Sequence, residues 1–137
     1  VSSAPLDGRG LPHGYPFKPE YEVTPREADA LLKSGKPVVI VDVRLKPEID
    51  AAAIDAPFVH IPLDQIESRA DEIESQDAVV LTLCHHGVRS LKAALALRAL
   101  GHPGAKSIAG GIELWSAAVD PKLPRYERSG AVCRIVR

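Results

Sequence analysis

Apolar and polar positions along the chain fall into two alternating kinds of block. PVVIVDV (37–43) and AVVLTL (78–83) are continuous β-branched and aliphatic runs. Unbroken runs of this length suit parallel strands covered on both faces, because a half-solvated strand would alternate. Shorter apolar stretches at Phe58–Ile61 and Ala105–Ile108 read as two further strands. Between them the spacing turns helical. TPREADALL opens with Thr24 at the N-cap, Pro25 in the first turn and Glu27 three residues on, which is a capping box. Gly35 and Pro37 close that helix. Asp64–Glu74 reads as a second helix, capped by Asp64 and answered by Glu67, with Ile66, Ala70 and Ile73 on one side. Ser90–Leu100, capped by Ser90 and ended by Gly101, is a third; Ile112 to Val119, after Gly110 and Gly111, is a fourth. Ala51–Ala53 fits either a turn or a short helix.

Strands alternate with helices and no repeat is visible, which defines an α/β domain with a mostly parallel sheet flanked by helices. It spans residues 22–126. Residues 1–21, rich in proline and glycine, form an extended arm or linker. Tyr15, Phe17 and Tyr21 in it suit a strap pinned to the domain, or a docking element for a partner. Residues 127–137 form a tail in which AVCRIV is an edge strand or a docked end.

Composition narrows the function. The 137 residues carry 17 basic and 18 acidic side chains, a net charge of -1. No basic block marks a nucleic-acid groove, and no apolar run is long enough for a membrane span. VSSAPLDGRG reads as neither a secretory signal nor a transit peptide. Two cysteines do not make a disulfide scaffold, which points to a reducing, cytoplasmic setting.

The chemistry concentrates in VVLTLCHHGVRSLKAAL (79–95). Ligands of open α/β sheets bind at the carboxyl ends of parallel strands, and Cys84 stands where strand 78–83 ends. The following helix turns its first unpaired amides back toward the loop His85, His86, Gly87, Val88, Arg89. Such a cradle favours a thiolate over a thiol and holds the charge that moves during nucleophilic sulfur chemistry. A buried core thiol is the competing reading, but two histidines and an arginine are poor company for one. A metal site is the third. Its adjacent candidates Cys84, His85 and His86 rarely converge on one ion, so no metal or other cofactor is expected.

CHHGVRS after an apolar strand resembles the active-site loop of single-domain rhodaneses, the thiosulfate or persulfide sulfurtransferases. VIVDVR (39–44), HIPL (60–63), SIAGGIELW (107–115) and VDPKLPRY (119–126) resemble further family segments in the same order. The resemblance implies a rhodanese-like three-layer fold over residues 22–126. It implies that Cys84 takes sulfur from thiosulfate or a persulfide and passes it to cyanide or a thiol, without a cofactor. A protein persulfide is the other candidate donor or acceptor. His85 to Arg89 would cradle the persulfide, His85 and His86 lining the mouth. Arg89 either fixes the loop through a carboxylate or binds the donor, the first being favoured. Asp42 would organise the loop, through hydrogen bonds or Arg89; Arg44 would add positive potential at the mouth, or form a surface ion pair. Ser90 would cap the helix. Trp115 packs in the core with Ile112 and Val119, and Cys133 is a free thiol or, less favoured, a resolving cysteine. DAAAIDAP (50–57) departs from the family, lacking its glycine–histidine turn, although Glu48 stands at the usual acidic position. Two rival functions share the fold: a non-catalytic binding or regulatory module, and a phosphatase. The phosphatase loop needs five residues between cysteine and arginine, where this chain has four, His85 to Val88.

Overall fold

A computed structural model describes residues 5–74 and 76–137. The central sheet is built from β1 (Glu22–Val23), β2 (Val38–Asp42), β3 (Val59–His60), β4 (Val79–Leu83) and β5 (Lys106–Ile108). Its order is β1-β5-β4-β2-β3, and every pairing is parallel. The helices are α1 (Pro25–Lys33), α2 (Lys46–Ala51), α3 (Ile66–Arg69), α4 (Val88–Ala99) and α5 (Gly111–Ala118). A separate antiparallel hairpin, β6 (Tyr126–Ser129) and β7 (Val132–Ile135), follows.

Side-chain alternation along the two inner strands explains their unbroken apolar sequence. Val38, Ile40, Leu81 and Leu83 face one core, shared with Ala28 of α1 and Ile112 and Trp115 of α5. Val39, Val41, Val80 and Cys84 face the other, shared with Ile66 of α3 and Ala93, Ala94 and Leu97 of α4. Both faces of the sheet are therefore covered, as a parallel sheet requires.

The Thr24–Glu27 capping box forms as expected, both bonds being present. Gly35 follows the C-cap Ser34 with φ +84°, the left-handed position that favours glycine. The second expected helix does not form as one piece. Residues 63–72 make a 3-10 turn, the single turn α3 and another 3-10 turn, and Pro62, not Asp64, stands at the entry without a side-chain cap. Asp71 and Glu72 at the carboxyl end oppose the helix dipole, which disfavours continuation. Ile66, Ala70 and Ile73 are nonetheless all buried. The open segment near 51 is resolved by α2, which lies mostly before it and exits at Ala52. The tail forms the hairpin, and β1, which sequence periodicity did not reveal, pairs with β5. Of the arm, residues 1–4 lie outside the described residues; Leu11 is fully buried against Ala109 and Leu114.

Candidate active site

Cys84 leaves the end of β4 with its side chain turned toward α4, about 1% exposed. The Gly87 amide donates to its Sγ at 3.0 Å. Its thiol donates to Ser90 Oγ at 3.2 Å, and that hydroxyl lies 2.7 Å from Ser107 Oγ on β5. Ser90 is not the cap of α4 but sits within its first turn. Gly87 takes the N-cap position with φ +102°, which starts the helix at Val88 and points Ser90 back at the sulfur. Thr82 Oγ1 fixes that turn by donating to the Ser90 carbonyl at 2.6 Å.

The loop carbonyls are turned the other way. The amides of Ile112 and Glu113, at the start of α5, donate to Cys84 O (2.8 Å) and His85 O (3.1 Å). Contact is so close that a Cβ at Gly111 would lie 2.3 Å from His85 O. With these carbonyls bound to α5, the Gly87 amide is the loop donor that meets the sulfur among the described residues. Tyr15 closes the remaining side. Its hydroxyl accepts from Gly110 N at 2.9 Å and donates to Glu22 Oε2 at 3.3 Å. Burial, then the Glu22 charge, pushes its phenol up to about 12.

A buried ionic network braces the loop from beneath. Asp42 and Arg44 are both fully buried, so Arg44 contributes no surface charge at the mouth. Arg44 donates to both Asp42 oxygens, to the Glu48 and Ala52 carbonyls and to Tyr126 Oη. Arg89 does not meet Asp42; it grips Glu48 with two bonds of 2.7 Å. Tyr126 Oη donates to the same Glu48 at 2.9 Å. Burial alone would raise the Glu48 carboxyl, but bonds from Arg89, the Leu45 amide and Tyr126 hold it at about 2. The Glu48 bond raises the Arg89 guanidinium in return. Glu48 and Tyr126 are the members that sequence reasoning did not place in the site. Their signal was faint: Glu48 stood at a family acidic position, and Tyr126 ended the segment VDPKLPRY.

His85 and His86 differ. His86 is exposed at the rim, whereas His85 is 6% exposed. The His85 ring stacks between His86 (centroids 3.9 Å) and Tyr126 (4.0 Å). Burial, with His86 beside it, lowers the His85 imidazole to about 4, so it is neutral at pH 7. Both rings line a cleft of about 500 Å³ with Glu113, Arg125 and the hairpin residue Arg128. His85, His86 and Glu113 are also the one group that brings potential metal-ligand atoms together among the described residues, within 4.8 Å. Cys133 is a partly buried free thiol, as Cys84 is a buried one, and Trp115 is 4% exposed in the core beside Ile112.

The family model of the rhodanese-like domain matches residues 24–118, and the chain belongs to that family. It is 29% identical over 131 residues to adenylyltransferase and sulfurtransferase MOCS3-1 of Zea mays, covering 91% of this chain and 28% of that protein. It is 33% identical over 105 residues to the probable adenylyltransferase/sulfurtransferase MoeZ of Mycobacterium tuberculosis, covering 76% and 26%. The chain thus spans little more than a quarter of these relatives' length. Among solved structures it is similar to a rhodanese-like domain protein of Staphylococcus aureus (30% identity, TM-score 0.64, covering 78% of this chain and 99% of that one). It is also similar to the human single-domain sulfurtransferase TSTD1 (28% identity, TM-score 0.60, covering 70% and 95%).

Proposed function

We propose that the chain is a sulfurtransferase that carries sulfur as a persulfide on Cys84. The observation that supports this most is the surroundings of a strand-end thiol: Gly87 N–H donates to its sulfur at 3.0 Å, and the Ser90 hydroxyl, accepting from it, lies 3.2 Å away. On ionisation the Ser90 hydroxyl turns to donate to sulfur, with Ser107 behind it.

The thiolate attacks the outer sulfur of thiosulfate. The new S–S bond forms on Cys84 as the donor S–S bond breaks, and sulfite leaves with the electron pair. A persulfide donor reacts in the same way, releasing a thiolate. Cyanide or a thiolate then takes the outer sulfur, and the pair returns to Cys84. No base is required in the first attack, which agrees with a neutral His85. The slight exposure of Cys84 favours a donor that enters sulfur first over one that must seat a tetrahedral group.

In this reading the amides of the loop His85–Arg89 hold the persulfide charge. Arg89 is a loop brace through Glu48, and Asp42 and Arg44 anchor that brace and Tyr126. The likeness to TSTD1 and to the sulfurtransferase relatives supports the reaction class.

Intact mass after incubation with thiosulfate tests it. The expected result is a gain of about 32 Da that is removed by cyanide with release of thiocyanate and absent in Cys84→Ser. Gain from a persulfide donor alone would make the chain a relay for another sulfur source. No gain from either donor would move the reading to a binding module.

A further inference from the structure

Two buried side chains that line the cleft beside the loop each hold a polar atom with no hydrogen-bond partner among the described residues: His85 at Nε2 and Arg125 at Nε. Each residue is only 6% exposed. Leaving such groups unpaired is costly, so the pair marks a place where an external group completes the bonding. Both line the same cleft of about 500 Å³, which is roomy enough for a small organic molecule.

The charges around the cleft decide what that group is. Its two carboxylates are already engaged: Glu113 accepts from Arg125 Nη2, and Glu127 lies 3.3 Å from Arg134. Arg128 has no carboxylate to itself among the described residues: its Nη1 donates to the Gly130 carbonyl, and its Nε is 3.5 Å from a Glu48 oxygen that Arg89 already bonds. At the His86 ring the Glu113 carboxylate favours the charged form, and the guanidiniums of Arg89 and Arg128 oppose it. Arg125, Arg128 and Arg134 against Glu113 and Glu127 leave one cation in excess, which favours an anion over a metal ion at His85, His86 and Glu113.

Arg125 Nε is always a donor, and a neutral imidazole with its hydrogen on Nε2 is a second one. Two donors in a positive cleft fit a group with two acceptor oxygens. Resting on the sulfur-transfer reading above, we propose that this cleft binds the carboxylate of the thiol that collects sulfur from Cys84, making carboxylated thiols the preferred acceptor class. The acceptor thiolate attacks the outer sulfur of the Cys84 persulfide. That S–S bond breaks, its electron pair returns to Cys84, and the acceptor leaves as a persulfide; the acceptor's thiol proton has gone to solvent beforehand. Arg125 and Arg128 lie outside the segment 24–118 matched by the family model, Arg125 just before β6 and Arg128 within it.

The test compares mercaptocarboxylates, from mercaptoacetate to mercaptohexanoate, with their neutral amides as acceptors from thiosulfate-loaded protein. At one chain length or more, KM for the acid falls roughly tenfold below that of the amide, with kcat little changed. Arg125→Lys keeps a cation for Glu113 but has no Nε–H; it erases the difference between acid and amide, and Arg128→Gln reduces it. Equal KM for acid and amide at every length, in protein that loads and transfers sulfur, overturns the carboxylate site and leaves sulfur transfer standing. A preference that survives Arg125→Lys overturns it too. Failure to load sulfur from any donor removes the sulfur-transfer reading and the acceptor site with it.

Discussion

The two ends of the chain both reach the Cys84 loop, and they are held there by different physics. The N-terminal arm docks through apolar burial. Leu11 packs with Ala109 and Leu114, and Leu6, Tyr15 and Phe17 cover them. One hydroxyl, Tyr15 Oη, then touches the loop region through Gly110. The C-terminal hairpin does the reverse. Val132 and Ile135 are 72% and 50% exposed, and the hairpin's hold on the site is Tyr126, 3% exposed. Its ring lies flat on His85 and its hydroxyl bridges Arg44 and Glu48. Apolar docking is graded, because a shortened side chain loses area but strands no charge. A buried ionic network is all or nothing, because each member removed leaves another unpaired.

The sharpest way to break this contrast is Glu48→Ala. It leaves Arg89 and Tyr126 without their acceptor, and stability should fall by about 3 kcal/mol in urea unfolding. The loss should also depend on pH. The Glu48 carboxyl is lowered from its ordinary 4.5 to about 2 in the folded chain. Its contribution is therefore complete above pH 4.5 and drains away as pH falls toward 2. Wild type and variant should converge over that window; parallel acid profiles would show that Glu48 is not the charged hub.

On the arm, Leu11→Ala removes a fully buried side chain and should cost about 2–3 kcal/mol, with no change in the acid profile. A loss within a few tenths of a kcal/mol would mean that the arm adds nothing to the core. The smallest effect belongs to Tyr15→Phe. It keeps the ring but strands the Gly110 amide, for about 1 kcal/mol; an unchanged urea midpoint would show that water replaces the phenol without loss.

The same contrast governs what could be read from sequence. The parallel strands were legible because covered strands announce themselves by composition, and the first helix because its cap is local. Cys84 was legible because a strand-end cysteine before a glycine-bearing turn is a local pattern. Arg44 was not. Its neighbours in sequence suggest a surface charge, while its burial depends on Tyr126, 82 residues away. Ser90 was given to the cap because serine favours that position, but Gly87, with its positive φ, let the helix begin earlier. The carboxylate that Arg89 meets is Glu48 rather than Asp42, 41 residues away in sequence and so not legible from the loop itself. In segment 63–72 a local capping signature was outweighed by carboxylates at the wrong end.

The bond from Tyr126 to Glu48 crosses 78 residues. A polypeptide emerges from the ribosome amino end first. While the sheet strands and Cys84 are already outside, residue 126 is still to come, and the Arg44–Glu48–Arg89 brace lacks its last member. Cys84 is made before the clasp that braces its loop, so that loop sets only when residue 126 has been translated.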